Sequence, residues 1–145
     1  MNTATPDFQP ARVLDGYVRF RFLPALFGDD FMRAESNVYL YAKRFLPDYD
    51  GGVWDFALTE GGCGFMKPAD DERWRVVNLA NGGDVTVSSE AAGIIITARV
   101  LNHRSWMYDR HDEEELCRHF CLRHRQLMDY AFSHPEAAAI FRALD

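Results

Sequence analysis

"VWDFALTEGGCGFMKPADDERWRVVNLANGGDVTVSS", residues 53–89, decides the fold. Four short segments rich in aromatic and β-branched residues, 53–59, 64–67, 74–79 and 85–87, are separated by "EGG", "PADDE" and "NGG". Links this short, built from glycine, proline and acidic residues, suit hairpins, so the stretch predicts an antiparallel meander of about four strands. In the first segment Trp54, Phe56 and Leu58 alternate with Val53, Asp55 and Ala57. One face is therefore large and apolar, and something else in the chain must cover it.

Helical patterns lie on both sides. Upstream, Asp29 or Asp30 can cap a helix whose apolar residues Phe31, Ala34, Val38, Tyr41, Ala42 and Phe45 recur at intervals of three and four. Pro47 stops it, because the residue before a proline is driven out of the helical region, and "DYDGG" supplies a turn. Before that helix, "RFRFLPALF", residues 19–27, alternates briefly and meets Pro24, which could sit in the first turn of a short helix closed by Gly28; the stretch is read as irregular and core-facing. Residues 1–18, with Pro6 and Pro10 and no period, read as a flexible arm. Downstream, Ser88 or Ser89 caps a helix running to about Trp106, and Glu113 or a neighbour opens a second running to about Phe132. Pro135 then reads as the first residue of a last short helix, "HPEAAAIFRALD", in which Ile140 and Phe141 are the side chains large enough to anchor a core. A helix, then strands, then helices, without strand-helix-strand alternation, predicts a single α+β domain over residues 19–145.

Charge narrows the function classes. The chain carries 22 acidic and 16 basic residues, a formal net charge of −6, which is poor material for binding DNA phosphates. Imitation of DNA is disfavoured as well, because arginines are scattered among the acids and only residues 112–115 form an acidic run of four. Three cysteines in a chain without a secretory leader suggest a reduced, cytoplasmic setting. The longest apolar run, residues 91–98, is far too short to span a bilayer.

Cys117, Cys121 and His124 fall at i, i+4 and i+7 and could face one metal ion from a helix, with His103, His111 or Cys63 as a fourth ligand. The same positions alternate with Phe120, Met128 and Ala131, so ordinary core packing is the simpler reading and no metal is expected. Asp48, Asp50 and Asp55 beside Gly51 and Gly52 resemble a calcium loop only faintly, because Val53 and Thr59 stand where that loop needs glycine and glutamate. "EGGCGF", residues 60–65, precedes no helix and carries no lysine for phosphate. Cys63 could be an exposed nucleophile activated by His103 or His134, but nothing in the sequence places either histidine near it, so a structural or incidental thiol is the better reading. Adjacent carboxylates such as Asp70 and Asp71 point in different directions and do not form an acid and base across a substrate. The residues themselves thus favour a non-enzymatic interaction protein, with no catalytic residue and no cofactor. The alternative is a small thiol- or metal-dependent hydrolase.

Three stretches carry a more specific signal: "RFLPALFGDDFMRAESNVYLYAKRFLPDYDGGVWDFALTEGGCGFMKP" (residues 21–68), "VSSEAAGIIITARVLNH" (87–103) and "HPEAAAIFRALD" (134–145). In order and spacing they resemble the plasmid antirestriction proteins of the ArdB/KlcA type. Glu60, the acidic link 109–115 and the arm before Arg19 depart from that pattern. The resemblance implies a role in relieving type I restriction-modification of incoming plasmid or mobile-element DNA in a bacterial host. It also implies an α+β fold of the family's own, and as partner a host restriction complex or a factor controlling it. Loops held on a rigid sheet commonly carry binding residues, so Tyr49, Asp50, Gly51 and Gly52, with Glu60, Gly61 and Gly62, are the expected partner contacts.

Overall fold

In the computed structural model, which describes residues 8–145, the helical spacing at 31–45 produces α2 (Phe31–Phe45), with Ala34, Val38, Ala42 and Phe45 buried. It ends as Pro47 requires, with Leu46 extended at φ −111° and ψ 98°. Residues 19–27 are not irregular but form α1 (Arg19–Phe27), with Pro24 inside it and Gly28 closing it at φ 65°. The missing proline N–H would have bonded the carbonyl of Phe20, which lies on the exposed side of the helix, so the interruption occurs where water has access.

The predicted strands form, but as two hairpins in separate sheets. β1 (Arg12–Val13), β2 (Trp54–Leu58) and β3 (Gly64–Pro68) make one sheet in that order, and β4 (Arg73–Asn78) pairs only with β5 (Gly83–Ser88). Every pairing is antiparallel, with Phe56 opposite Met66 and Val76 opposite Val85. Residues 1–7 of the expected arm lie outside the described residues. Within the rest of it no periodicity announced β1, whose Val13 pairs with Ala57 while Leu14 N–H donates to the Phe56 carbonyl at 2.8 Å.

Helix α3 (Ser89–Arg110) explains why the meander is split. Ser88 caps it, its hydroxyl accepting from Ala91 N–H at 3.1 Å, and every residue from 91 to 98 is buried. The free rim of β3 does not meet β4. It meets α3, where the Thr97 hydroxyl accepts from Met66 N–H at 3.1 Å and donates to Met66 C=O at 3.3 Å. One hydroxyl thereby satisfies both groups of an edge residue that would otherwise be orphaned indoors. One turn earlier, Gly93 lets the helix touch the strand: a Cβ there would collide with the Met66 carbonyl and come within 2.6 Å of Lys67 Cα.

The remaining helices close around this contact. α4 (Glu114–Phe132) returns along α3 after a turn in which Asp112 takes φ 58°, a conformation aspartate tolerates better than most residues. The core lies between α3, α4, α1 and the three-stranded sheet, with Phe27 stacked on Phe120 and Phe65 against Tyr130. α5 (Ala137–Leu144) begins two residues after Pro135, so the proline occupies the preceding turn and is not the first helical residue. Of its two expected anchors, Ile140 is fully buried and Phe141 only partly. Among the described residues no helix is long and apolar enough to cross a membrane.

An ion pair between a partly buried aspartate and a buried arginine ties the start of α2 to α3. Asp30 does not cap its helix with its side chain; its carboxylate accepts from Arg104 Nη2 and from the Tyr108 hydroxyl, both at 2.6 Å. Arg104 is only 5% exposed and also donates to Asn37. Burial alone would raise the Asp30 carboxyl, but the hydrogen bonds from Tyr108 and Arg104 and the guanidinium charge hold it below the usual carboxylate range.

Thr97→Val, which keeps shape and removes the hydroxyl, is expected to cost about 1–3 kcal/mol by orphaning the Met66 amide and carbonyl. Gly93→Ala is expected to cost as much or more through overpacking, and denaturant unfolding of the two variants measures both. Because the Asp30 carboxyl is lowered in the folded state, its contribution is complete above the ordinary aspartate value and is lost as pH falls from there through the lower folded value. Asp30→Asn should therefore lower stability at neutral pH by about 1–3 kcal/mol and flatten the acid limb of the stability profile below about pH 4.

Candidate functional site

The two expected contact loops sit at opposite ends of β2. Five strand residues separate them, roughly 17 Å at about 3.4 Å per residue, so a single small partner group does not touch both. In the first loop Tyr49 serves the fold. Its hydroxyl accepts from Trp54 Nε1 at 3.3 Å, and its ring packs edge-on against Trp54 and beside Trp74. Asp50, Gly51 and Gly52 are exposed, and both glycines adopt positive φ, 107° and 113°, which a side chain would strain. In the second loop Glu60, Gly61 and Gly62 are exposed, while the Gly62 carbonyl accepts from Arg123 Nη1 at 3.0 Å. Arg123 also bonds the Ala25 carbonyl, so α4 tethers this turn to α1.

Cys63, read as a possible exposed nucleophile, is buried. Its thiol donates to the Arg123 carbonyl at 3.3 Å, and burial pushes it up to about 11, away from the thiolate a nucleophile needs. Neither His103 nor His134 is among its hydrogen-bond partners. Cys117 is partly buried and Cys121 exposed, so neither is the core residue the spacing suggested. The buried face of α4 is carried by Phe120, Leu127 and Ala131 instead. Burial, then the neighbouring Cys121 thiol, raises Cys117, whereas burial lowers His124. Among the described residues no three His, Cys, Asp or Glu side chains gather as they would around a metal ion. Asp55, a member of the faint calcium pattern, points across the sheet to Lys67 at 3.6 Å.

Two features escaped the reading of the residues. The first is a latch over the N-terminus of α3. His134 accepts from Glu136 N–H on Nδ1, so its Nε2 carries the proton it donates to Glu90 at 3.2 Å, and Tyr130 donates to the same carboxylate oxygen at 2.9 Å. Glu136 in turn accepts from Ser88 N–H at 3.0 Å and from the Ser88 hydroxyl. The hydrogen bond from His134, outweighing burial, holds Glu90 below the usual range. Two carboxylates beside the first turn of α3 complement its dipole. The second feature is a cleft of about 920 Å³ along the C-terminal half of α3. Its floor is the one open stripe of that helix, Asn102, His103, Trp106 and Arg110, flanked by α2, the β4–β5 turn and the later parts of α4 and α5. A run of polar residues at helical spacing after residues 91–98 was the available signal.

Comparison with known proteins supplies what the geometry does not. The model of a family described as "Antirestriction protein" matches residues 47–145, more than half the chain. The chain belongs to the antirestriction protein family. It is similar to the putative antirestriction protein YubI of Escherichia coli (strain K12), 43% identical over 127 residues that cover 88% of this chain and 89% of that one. An Escherichia coli antirestriction protein KlcA is 33% identical over 146 residues, covering both chains in full. A solved structure aligns over the whole of both chains with a TM-score of 0.78 and 32% identity. It comes from work on the KlcA and ArdB proteins, described as showing a novel fold and antirestriction activity against type I DNA restriction systems in vivo but not in vitro. The resemblance to the ArdB/KlcA type is therefore confirmed, together with the α+β architecture.

In this family member the thiols should differ sharply in reactivity. Under native conditions an aromatic disulfide reagent is expected to titrate Cys121 first and Cys117 more slowly, leaving Cys63 untouched until denaturant is added. Rapid native labelling of Cys63, read by mass spectrometry, would contradict the buried placement.

Proposed function

We propose that the protein relieves type I restriction of incoming DNA by contacting a host protein, in the bacterial cytoplasm, without catalysis and without copying DNA. The observation that carries this reading is the full-length match to a structure from the KlcA/ArdB work, whose activity is described as present in vivo and absent in vitro. An inhibitor that simply occupied the endonuclease would be expected to work on purified components. Activity confined to cells favours action through a host factor that purified assays omit. The chemistry of this chain supports a non-enzymatic route, because its one turn cysteine is buried with a raised thiol. Acidic surface is interrupted by arginine, as in the Arg75–Asp84 pair at 2.7 Å, which favours protein contact over DNA mimicry.

The loops at Asp50–Gly52 and Glu60–Gly62 are proposed as two separate contacts at the ends of β2, with Tyr49 supporting the first from beneath. Expression in a host with an active type I system is expected to raise plating of unmodified phage and to leave a type II host unchanged. Asp50→Lys and Glu60→Lys, both exposed and expected to alter stability by no more than about 0.5 kcal/mol, should each reduce protection and together remove most of it. Full protection by the double variant would eliminate the loops, and a gain on the type II host would eliminate the system-specific reading.

A further inference from the structure

The cleft along α3 has an electrostatic character opposite to that of the chain around it. The protein is net acidic at −6, yet the cleft is lined by Arg44, Arg99 and Arg110 with a single carboxylate side chain, Asp145. None of the three arginines has an acidic partner within salt-bridge distance among the described residues. Two of them share a neighbour: the Arg44 and Arg99 guanidinia each lie over the Phe45 ring, at 5.3 and 4.5 Å from its centre. Burial, with the charge of Arg44 adding to it, lowers Arg99. Arg99 spends one amino group on the Ala143 carbonyl at 2.7 Å, while its Nε is the one buried side-chain donor without a partner among the described residues. Cations without acidic partners, gathered in one cleft, are what an anion neutralises.

The rest of the lining says which anion. Trp106 is 62% exposed and stands on the floor between the cations, and Met107, Met128 and Phe141 form apolar walls. Tryptophan and arginine are the side chains that most often dominate protein interfaces, and methionine adapts to varied apolar partners. The floor from Arg99 to Arg110 rises through eleven residue steps of helix, roughly 16 Å at about 1.5 Å per step, long enough for several residues of a bound chain. The helices lend the cleft their middles and C-terminal halves, so no helix N-terminus points in to hold a phosphate. Guanidinia with an apolar floor suit carboxylates on a chain that also offers a bulky apolar side chain.

We propose that this cleft docks an acidic segment of a partner protein, seating its carboxylates on Arg44, Arg99 and Arg110 and an apolar side chain against Trp106. The site is distinct from the β2 loops, and its occupation is measured without reference to restriction. The test is fluorescence anisotropy with a labelled synthetic peptide of glutamates around a central Leu-Phe pair. Controls are the same peptide with glutamine or lysine in place of glutamate, and inorganic phosphate, ATP and a single-stranded oligonucleotide as competitors. Saturable binding of the glutamate peptide alone is expected, weakened at least about tenfold by each of Arg44→Glu, Arg110→Glu and Trp106→Ala. These three positions are exposed, so thermal unfolding should show the variants folded, and Arg99, which supports α5, is left intact. Absence of binding, equal binding by the variants, or displacement by phosphate, ATP or the oligonucleotide would overturn the proposal.

Discussion

The contact between α3 and the rim of β3 organises the protein. A three-stranded sheet ending in β3 has an edge of unpaired amides and carbonyls, and the usual remedy is another strand. Here Thr97 offers a single hydroxyl that both accepts and donates, while Gly93 removes the side chain that would hold the helix away. Once α3 occupies that rim, β4 cannot pair there, and the second hairpin must form its own small sheet. The helix is then enclosed on most sides, which is why residues 91–98 show no polar face. A helix that is apolar all round marks burial more clearly than amphipathic spacing would.

Local signals were legible to the degree that they were local. The Ser88 cap, the stop before Pro47 and the apolar period of α2 each depend on residues within a turn or two, and each appears where expected. The hairpins were legible for the same reason, whereas their division between two sheets was not, because it depends on Thr97 meeting a strand 31 residues away. Asp30 looked like a helix cap because aspartate before an apolar period usually is one; its true partners stand 74 and 78 residues further along. The candidate site divides in the same way. Exposure of Asp50 and Glu60 followed from turn chemistry, but the burial of Cys63 beneath Arg123 required knowing that α4 crosses the hairpin. The cleft was hidden because its cations come from α2 and α3, which no spacing rule places together.

The closing segment "HPEAAAIFRALD" now has a physical account in two parts. His134 and Glu136 grip the N-terminus of α3, where negative charge is favourable, and Ile140 is fully buried in a helix that packs on α3 and the β4–β5 hairpin. The small residues Ala137, Ala138 and Ala139 add little side-chain bulk of their own. Phe141 lines the wall of the cleft, so one short helix contributes both to closure and to that concave surface.

β1 leaves the three-stranded sheet guarded unequally on its two sides. One rim is sealed by a helix that most of the core supports, the other by Arg12 and Val13, with Ala11 held by the Tyr130 hydroxyl and Leu14 by Phe56. A two-residue strand pairs with its neighbour over so short a length that it is among the first parts of a native structure to open. When it lifts, the backbone of Trp54–Leu58 becomes a template on which an extended chain of any origin can add itself. Concentrated solutions of the protein should therefore polymerise, if at all, from this side of the sheet, and shortening the chain through Val13 would remove its gatekeeper.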